Sequence, residues 1–440
     1  MSGNGRRRHR GYVLRKIVRG LAMLVYRDID VRLPSTPISD GPVLAVANHF
    51  GGLSDGVLLI DSAPRMPRVI ARDLIWKVPV VAQIATAIGM IPVHRAADGA
   101  GTSNDRAFAS AYAALADGDL VLIFPEGVTQ DVPFMAEVHT GAARIALGAR
   151  HSGVEGIRIV PIGIHYENKA GFRSRALVNI GEPIDVDEWA QLQPEGVSQG
   201  ADDRAAVVDL TAVIDAQLRQ AAPDYADWPT ANALETVAEV LLDDVDPSPR
   251  NGLQYGDAAL IADRLNRLPD PKHTRLVELG GDYRSALAAA RTTDRAIATA
   301  THPAPRSWTW LMSALLVLVL LPYAILGLLV AALPLLVVII VSRLPIAPAV
   351  RATVVPGVAF LSFVVVWVMF SWQSLRDDGW NLGLAAVILF PFLVAALFLV
   401  VERASSLWRR WRGWHRPRGA SLQNLQGMRR RVSAEAWESL

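Results

Sequence analysis

The sequence predicts an α/β domain with a mixed sheet flanked by helices, followed by an α-helical region and C-terminal transmembrane helices. Three observations predict this order. Short apolar, β-branched segments alternate with helical patterns over residues 11–185, which is typical of an α/β sheet. Residues 186–305 keep a helical periodicity and a high alanine content. Beyond residue 306 the chain carries apolar runs long enough to cross a bilayer, which needs about 20 residues.

Composition and charge favour a membrane surface as the site of action. Of the 440 residues 51% are hydrophobic, and the excess lies after Trp308. Cysteine is absent, which excludes disulfides and thiolate metal sites. The net charge is +2, yet basic residues cluster in residues 6–19 and 403–431. Basic ends beside apolar segments favour anionic lipid over nucleic acid, and no RNA-binding aromatic or glycine pattern is found.

The N-terminal segment is predicted to contact the membrane. Residues 1–10 are polar and basic, and we expect a disordered tail. Residues 12–26 place Arg15, Lys16 and Arg19 among apolar positions at helical spacing, without the apolar core and cleavage site of a signal peptide. We expect an amphipathic helix in the membrane interface. An ordinary surface helix packed on the core is the alternative.

Strands and helices of the α/β domain are predicted from apolar runs and alanine-rich periodic segments. The predicted strands cover residues 29–33, 43–47, 68–72, 89–95, 120–124, 157–166 and 177–180. One predicted helix begins at Ser54. Three others cover residues 73–88, 107–116 and 141–149. In such sheets functional groups gather at strand ends.

Residues 43–59 organise the domain. An apolar run predicts a buried strand that ends at His49, a Gly51-Gly52 turn follows, and Asp55 lies in the first turn of the next helix. An imidazole at a strand end therefore faces a carboxylate at a helix start. Such a carboxylate fixes the tautomer of the imidazole, and the other ring nitrogen is free to take a proton. No serine or cysteine nucleophile is needed if the substrate supplies its own hydroxyl.

Two other strand ends carry groups of interest. Arg95 follows Ile91-Pro92-Val93; arginine is a natural bidentate partner for phosphate, although a solvated strand end is the ordinary alternative. Glu126 places a carboxylate after another strand, where it could bond substrate hydroxyls or orient Arg95.

Four motifs in fixed order resemble the successive blocks of the glycerophospholipid acyltransferase family, which includes lysophosphatidic acid and glycerol-3-phosphate acyltransferases. They are Asn48-His49 with Asp55, Gly89-x-Ile91-Pro92-Val93-x-Arg95, Phe124-Pro125-Glu126-Gly127 and Ile159-Val160-Pro161-Ile162-Gly163. The resemblance covers about residues 12–185. Five residues separate His49 from Asp55 where the family usually has four, which resembles the yeast-type glycerol-3-phosphate and dihydroxyacetone-phosphate acyltransferases. That subgroup also has a helical insert and apolar C-terminal spans.

The resemblance implies a role for each matched residue. His49 deprotonates the acceptor hydroxyl, which attacks an acyl thioester, and Asp55 orients His49. Pro161 shapes the acyl-donor side. The implied acceptor-binding residues are Arg95, for the phosphate, and Phe124, Pro125, Glu126 and Gly127, for the pocket. No metal or cofactor is implied, and the donor is acyl-CoA or an acyl carrier protein. His139 stands where the family has lysine, which casts doubt on a secondary phosphate contact.

The predicted function is therefore transfer of a fatty acyl group to glycerol 3-phosphate or 1-acylglycerol 3-phosphate by a membrane-bound enzyme. Its partners are membrane lipids, the thioester and the phosphorylated acceptor. A metal-dependent hydrolase using His49, Asp55 and Glu126 is disfavoured because no histidine-rich cluster accompanies them. A lipid-binding or scaffold protein with an inactive fold is the non-enzymatic alternative. Acceptor identity, acyl length, donor type, the role of residues 186–305 and the oligomeric state stay open.

The membrane region, residues 306–402, is predicted to hold a hairpin at 308–341 and spans at 353–372 and 381–401. Pro322, Gly327 and Pro334 interrupt the first run, which is long for one span, and we expect a bend near Gly327.

Charge sets the expected orientation of these spans. The loop with Arg343 and Arg351 and the basic tail 403–440 are predicted on the cytoplasmic side, and Asp377 and Asp378 outside. This requires an even number of crossings before each basic segment. We therefore expect a multi-pass protein of the cell membrane with a cytoplasmic catalytic domain.

Overall fold

The structure is a computed structural model that describes residues 15–94, 104–193, 200–245, 254–298, 307–345, 348–377, 380–413 and 420–440, apart from positions 17, 21, 39, 78, 170 and 172. The predicted tail 1–10, Arg95 and Asp378 lie outside these residues. The chain divides near Asp224 into two compact units.

The first unit is the predicted α/β domain. Its strands are β1 Tyr26–Arg32, β2 Val43–Ala47, β3 Arg68–Arg72, β4 Ile91–Val93, β5 Leu120–Ile123, β6 Arg158–Tyr166, β7 Ser174–Ile180 and β8 Ile184–Asp185. Its helices are α1 Leu53–Ser62, α2 Pro79–Ala87, α3 Asp105–Ala116, α4 Gly141–His151, α5 Val186–Gln191 and α6 Arg204–Ala221. The helix expected over residues 73–88 is divided, because Asp73–Lys77 forms a separate 3₁₀ turn before α2.

A mixed sheet forms the centre of this unit, which confirms the predicted fold class. The strand order is β1-β7-β6-β2-β5-β3-β4, with β8 paired to β6. Strand β2 lies between β5 and β6 and runs parallel to both, whereas β6 and β7 are antiparallel. All five residues of β2 are buried, as its continuous apolar run requires for a strand covered on both faces.

The α/β unit extends beyond the predicted boundary at residue 185. Helix α6 packs on β6 through Leu210, Ile214 and Leu218, each with no exposed surface. Gly163 of β6 permits this contact, since a Cβ there would collide with the backbone carbonyl of Ala221. Helices α5 and α6 therefore belong to the sheet and not to the helical region. Sequence periodicity cannot show which neighbour an apolar helix face covers.

The segment before β1 is helical over its described residues between 15 and 25. Ala22 and Val25 are buried in the core, and Arg15 donates to the carbonyls of Ala63 and Pro64. The C-terminal end of this segment therefore packs on the domain, as in the alternative considered above. Its contact with a membrane interface stays a prediction.

The second unit contains a helical bundle and apolar helices. The bundle is built from α7 Trp228–Val245, α8 Gln254–Asn266, α9 Lys272–Ala289 and α10 Asp294–Ala298. The apolar helices are α11 Ser307–Ser342, α12 Pro348–Asp377 and α13 Trp380–Gly413, and α14 Ala420–Ser439 follows. Helix α14 packs on α7, α9 and α10, and its Leu425, Val432 and Ala436 join their buried core. The predicted basic tail 403–440 thus ends in a structural helix.

Arg429 of α14 connects three elements of this bundle. Its Nε donates to Asp294 Oδ1 on α10 at 3.0 Å, and a second guanidinium nitrogen donates to Asp244 on α7. Tyr283 of α9 also donates to Asp294 Oδ1, at 2.6 Å. The Asp294 side chain is only 1% exposed. One partly buried arginine therefore compensates the buried Asp294 carboxylate.

The hairpin predicted over residues 308–341 is wrong, because α11 is one continuous helix that includes Pro322 and Pro334. Long apolar helices tolerate proline when neighbouring groups satisfy the freed carbonyls. Gly327 marks a contact and not a bend, since a Cβ there would collide with the backbone carbonyl of Leu393 on α13. Three helices are long and apolar enough to cross a membrane in the described chain: Leu311–Ser342, Gly357–Asp377 and Gly383–Ser405.

We predict that Arg429→Met destabilises the bundle by about 3–5 kcal/mol, because it leaves Asp294 buried without its cation. The midpoint of thermal unfolding of the detergent-solubilised protein should fall clearly below that of wild type. Arg430→Met is the matched control, since Arg430 is exposed on the same helix. Equal midpoints for the two variants would mean that the Arg429 pairs contribute little.

Candidate active site

One edge of the sheet collects the ends of three strands. Because β5, β2 and β6 are adjacent and parallel, their carboxyl ends meet at the same edge. His49 follows β2, Glu126 follows β5, and Tyr166 ends β6. The strand order therefore brings together residues up to 117 positions apart in the sequence.

The predicted His49–Asp55 pair is present at this edge. His49 Nδ1 lies 2.8 Å from Asp55 Oδ2. The Gly51 N–H donates to both carboxylate oxygens, at 3.0 and 2.9 Å. A carboxylate only accepts, so Nδ1 carries the proton and Nε2 is the basic nitrogen. Asp55 has no exposed surface, whereas the His49 side chain is 21% exposed, and a substrate can therefore reach the imidazole.

The turn after β5 lies against His49. The Phe124 ring stacks on the imidazole, with centroids 4.2 Å apart and planes at 22°. The Pro125 carbonyl accepts the His139 N–H at 3.0 Å. Gly127 has φ +62°, a left-handed conformation that favours glycine. Phe124 thus confines the His49 ring, and a substrate-binding role for Phe124, Pro125 and Gly127 stays a prediction.

Glu126 is a buried connector between two loops. Its Oε1 accepts the His49 N–H at 2.8 Å, and its Oε2 accepts the Ala136 N–H at 2.9 Å. The residue is 1% exposed, and burial raises the pKa of Glu126. Both oxygens are used by backbone donors, so the structure shows Glu126 holding the His49 backbone in place. The predicted contacts of Glu126 with substrate hydroxyls and with Arg95, which lies outside the described residues, stay predictions.

Two residues of this edge were not among the predicted site residues. Asn48 donates through Nδ2 to the Ile164 carbonyl at 3.1 Å and accepts the Ile164 N–H at 2.7 Å, which fixes the end of β2 to β6. Tyr166 donates its hydroxyl to Asp55 Oδ1 at 2.5 Å. Asn48 lies next to His49 in the first motif, which is a local signal. Tyr166 gives no such signal, because it ends a mainly apolar strand 111 residues beyond Asp55.

Pro161 lies inside the sheet. It is buried in β6, in register with Val46 of β2, and its carbonyl accepts the Gly181 N–H at 2.8 Å. Its role on the acyl-donor side stays a prediction. His139, where the family has lysine, lies beside Gly127.

The carboxylates of this site are committed to protein donors. Asp55 receives donors from His49, Gly51 and Tyr166, and both oxygens of Glu126 receive backbone N–H groups. A metal ligand needs free lone pairs; the contacts of Asp55 occupy its acceptor sites, whereas each Glu126 oxygen accepts one donor and keeps one site. Within the described residues, no group of three His, Asp or Glu side chains is placed to hold a metal ion.

Known proteins resemble the part of the chain that carries this site. A family model described as acyltransferase matches residues 28–165. Glycerol-3-phosphate O-acyltransferase 2 of Saccharomyces cerevisiae is 40% identical over 85 residues, which cover 19% of this chain. Glycerol-3-phosphate O-acyltransferase 1 of the same yeast is 29% identical over 130 residues, or 29% of this chain. The α/β domain therefore resembles acyltransferases over the residues that the family model matches.

These comparisons cover only part of each chain. The chain spans 11% and 17% of the lengths of the two yeast proteins. The crystal structure of the 1-acyl-sn-glycerophosphate acyltransferase PlsC from Thermotoga maritima matches with a TM-score of 0.31 at 20% identity, over 45% of this chain and 81% of that chain. Five residues separate His49 from Asp55, and that this spacing marks a subgroup stays a prediction.

We predict that Glu126→Gln lowers both stability and any activity of this domain. A glutamine side chain offers one acceptor oxygen, so either the His49 or the Ala136 N–H faces an NH₂ group and loses its partner. An unsatisfied buried group costs about 1–3 kcal/mol, which thermal unfolding detects. Glu137→Gln is the control, because Glu137 is an exposed carboxylate in the same loop. An unchanged midpoint for Glu126→Gln would contradict the connector role.

Proposed function

We propose that this chain transfers a fatty acyl group from an acyl thioester to a hydroxyl of a phosphorylated glycerol, with glycerol 3-phosphate as the first candidate. The observation that carries this proposal is the His49–Asp55 pair, whose partly exposed imidazole keeps Nε2 as its basic nitrogen. The match to the acyltransferase family model supports acyl transfer, and the names of both yeast relatives support glycerol 3-phosphate as the acceptor. The donor is acyl-CoA or an acylated carrier protein.

The reaction follows from the site. The acceptor hydroxyl gives its proton to His49 Nε2 while its oxygen attacks the thioester carbonyl. Asp55 stabilises the imidazolium that forms, and the buried Gly51 N–H keeps that carboxylate in place. The tetrahedral intermediate collapses, the C–S bond breaks, and the thiolate takes the proton back from His49. The products are an oxygen ester and a free thiol, and His49 returns to its starting form.

Two other functions fit the site less well. A metal-dependent hydrolase would need Asp55 and Glu126 as ligands, yet their oxygens already accept N–H and O–H donors. A lipid-binding scaffold would not need a partly exposed imidazole held in one tautomer by a buried carboxylate.

We predict that His49→Ala removes at least about 99% of acyl transfer, because general-base catalysis contributes roughly 10²–10⁴-fold. Purified protein in detergent is given acyl-CoA with glycerol 3-phosphate, dihydroxyacetone phosphate or 1-acylglycerol 3-phosphate, and ester and free thiol are measured. His151→Ala is the control, since His151 is exposed at the end of α4. Retention of more than about a tenth of wild-type turnover would end the general-base assignment. If only 1-acylglycerol 3-phosphate were acylated, it would replace glycerol 3-phosphate as the proposed acceptor.

For the membrane region we propose that α7–α10 and α14 lie on the same, cytoplasmic side. They share one buried core and the Arg429 ion pairs, so no bilayer separates them. Of the described residues, all candidate spans begin at Leu311 or later, between these two parts of the bundle. An even number of complete crossings must therefore connect α10 to α14. Three complete crossings would place α14 on the side of the membrane opposite to α7–α10.

The proposed crossing pair is α12 and α13. These helices pack antiparallel, because Phe363 meets Phe398 and Phe370 meets Phe390, each at 6.2 Å between ring centroids. This pair keeps the basic segments on both of its flanks in the cytoplasm and Asp377 outside. Helix α11, which packs on α13, then does not complete a crossing in this proposal.

Single cysteines test this orientation in a chain that has none of its own. We predict that an impermeant thiol reagent applied to intact cells labels Asp377→Cys, and that it labels Ser342→Cys and Ser421→Cys only after permeabilisation. The reverse pattern, with external labelling at 342 and 421, would mean three crossings and would separate α14 from the bundle.

A further inference from the structure

Resting on the proposed function, we infer that Tyr166 is a positioning residue of the acyltransferase site. Through its hydrogen bond to Asp55 it holds the carboxylate that orients His49 and limits how strongly that carboxylate favours the protonated imidazole.

The hydrogen bonds of Asp55 define this role. Oδ2 contacts His49 Nδ1 at 2.8 Å, and Oδ1 accepts the Tyr166 hydroxyl at 2.5 Å. The Gly51 N–H bridges both oxygens. The carboxylate is thus held between the imidazole on one side and the phenol on the other. Because α1 begins only two residues before Asp55, Tyr166 connects the start of this helix to the end of β6.

Tyr166 remains the donor in this contact. Burial and the neighbouring Asp55 carboxylate raise the pKa of Tyr166 well above its ordinary value, so the phenol keeps its proton. A hydrogen bond to an ionised acceptor is stronger than one between neutral groups, and it withdraws negative charge from the accepting carboxylate.

Gly51 shows how tightly this contact is enclosed. A Cβ at Gly51 would lie 2.6 Å from the Tyr166 hydroxyl oxygen and 2.8 Å from Asp55 Oδ1. Any side chain at this position would therefore separate the two groups. The glycine after the His49–Phe50 dipeptide is explained by this close approach.

Tyr26 provides an internal comparison. Its ring lies beside that of Tyr166, with centroids 6.1 Å apart, and it is 3% exposed. Its hydroxyl lies near Ser54, Asp55 and the Tyr166 hydroxyl but reaches no hydrogen-bond partner with good geometry. Of these two tyrosines, only Tyr166 donates to the Asp55 carboxylate.

Other titratable groups also face His49. Glu126 accepts the His49 backbone N–H from the turn after β5. Lys169, in the loop after β6, lies 3.5 Å from the Phe50 carbonyl and pairs with Asp131. His139 lies beside Gly127 in the same region. These groups are unchanged in both tyrosine variants, so a difference between the variants reports the hydroxyl contact.

The test is the pH dependence of kcat/KM for acyl transfer by full-length Tyr166→Phe and Tyr26→Phe. Loss of the Tyr166 hydroxyl concentrates charge on Asp55 and favours protonated His49, so the neutral base is present only at higher pH. The acid limb of Tyr166→Phe should move up by about half to one pH unit, and kcat should fall about tenfold. Tyr26→Phe should keep the wild-type limb.

Two outcomes would overturn the inference. One is a wild-type acid limb in Tyr166→Phe, even with lower activity, since lost packing alone reduces the amount of active enzyme without moving the limb. The other is an equal shift in Tyr26→Phe. In the Asp55→Asn background, the Tyr166→Phe change should add little, because it acts through that carboxylate. Absence of acyl transfer by wild type would instead reject the proposed function.

Discussion

The parallel pairing of β2 with both β5 and β6 is the constraint on which the site depends. It places the ends of three strands at one edge, and each end supplies a different group to the same small site. His49 supplies the imidazole, Glu126 the backbone anchor and Tyr166 the donor to Asp55. A one-residue slip of β2 would exchange its two faces and remove His49 from both partners. The buried β-branched residues of β2 therefore fix the chemistry as well as the core.

Two buried carboxylates at this edge have different tasks because their donors differ. Asp55 receives a ring N–H and a phenol, so it acts on the orientation of a side chain. Glu126 receives two backbone N–H groups, so it acts on the position of the loops. Sequence alone shows both as acids near strand ends. Only the partners, which are set by the fold, separate a residue that orients the base from one that holds its backbone.

Much of the α/β domain could be predicted from local patterns, including the buried β2 and the approach of His49 to Asp55. These features depend on residues close in sequence. Features that depend on distant residues were missed or wrong. Tyr166 reaches Asp55 across 111 positions, and helix α6 joins the sheet although its own periodicity indicates only an apolar face. Helix α14 was read as a basic tail, because Arg429 shows its two acidic partners only in the folded bundle.

Glycine illustrates the same limit most clearly. Gly51 and Gly327 were both interpreted as places where the backbone turns, since glycine adopts angles closed to other residues. In the structure Gly51 does lie in a bend and is also closely approached by another group, whereas Gly327 is closely approached without a bend. The Tyr166 hydroxyl approaches Gly51, and the Leu393 carbonyl approaches Gly327 within a continuous helix. Glycine is suited both to a backbone bend and to a close contact, and only the group packed against it shows which of the two is present. For α11 that distinction separates one continuous apolar helix from a hairpin.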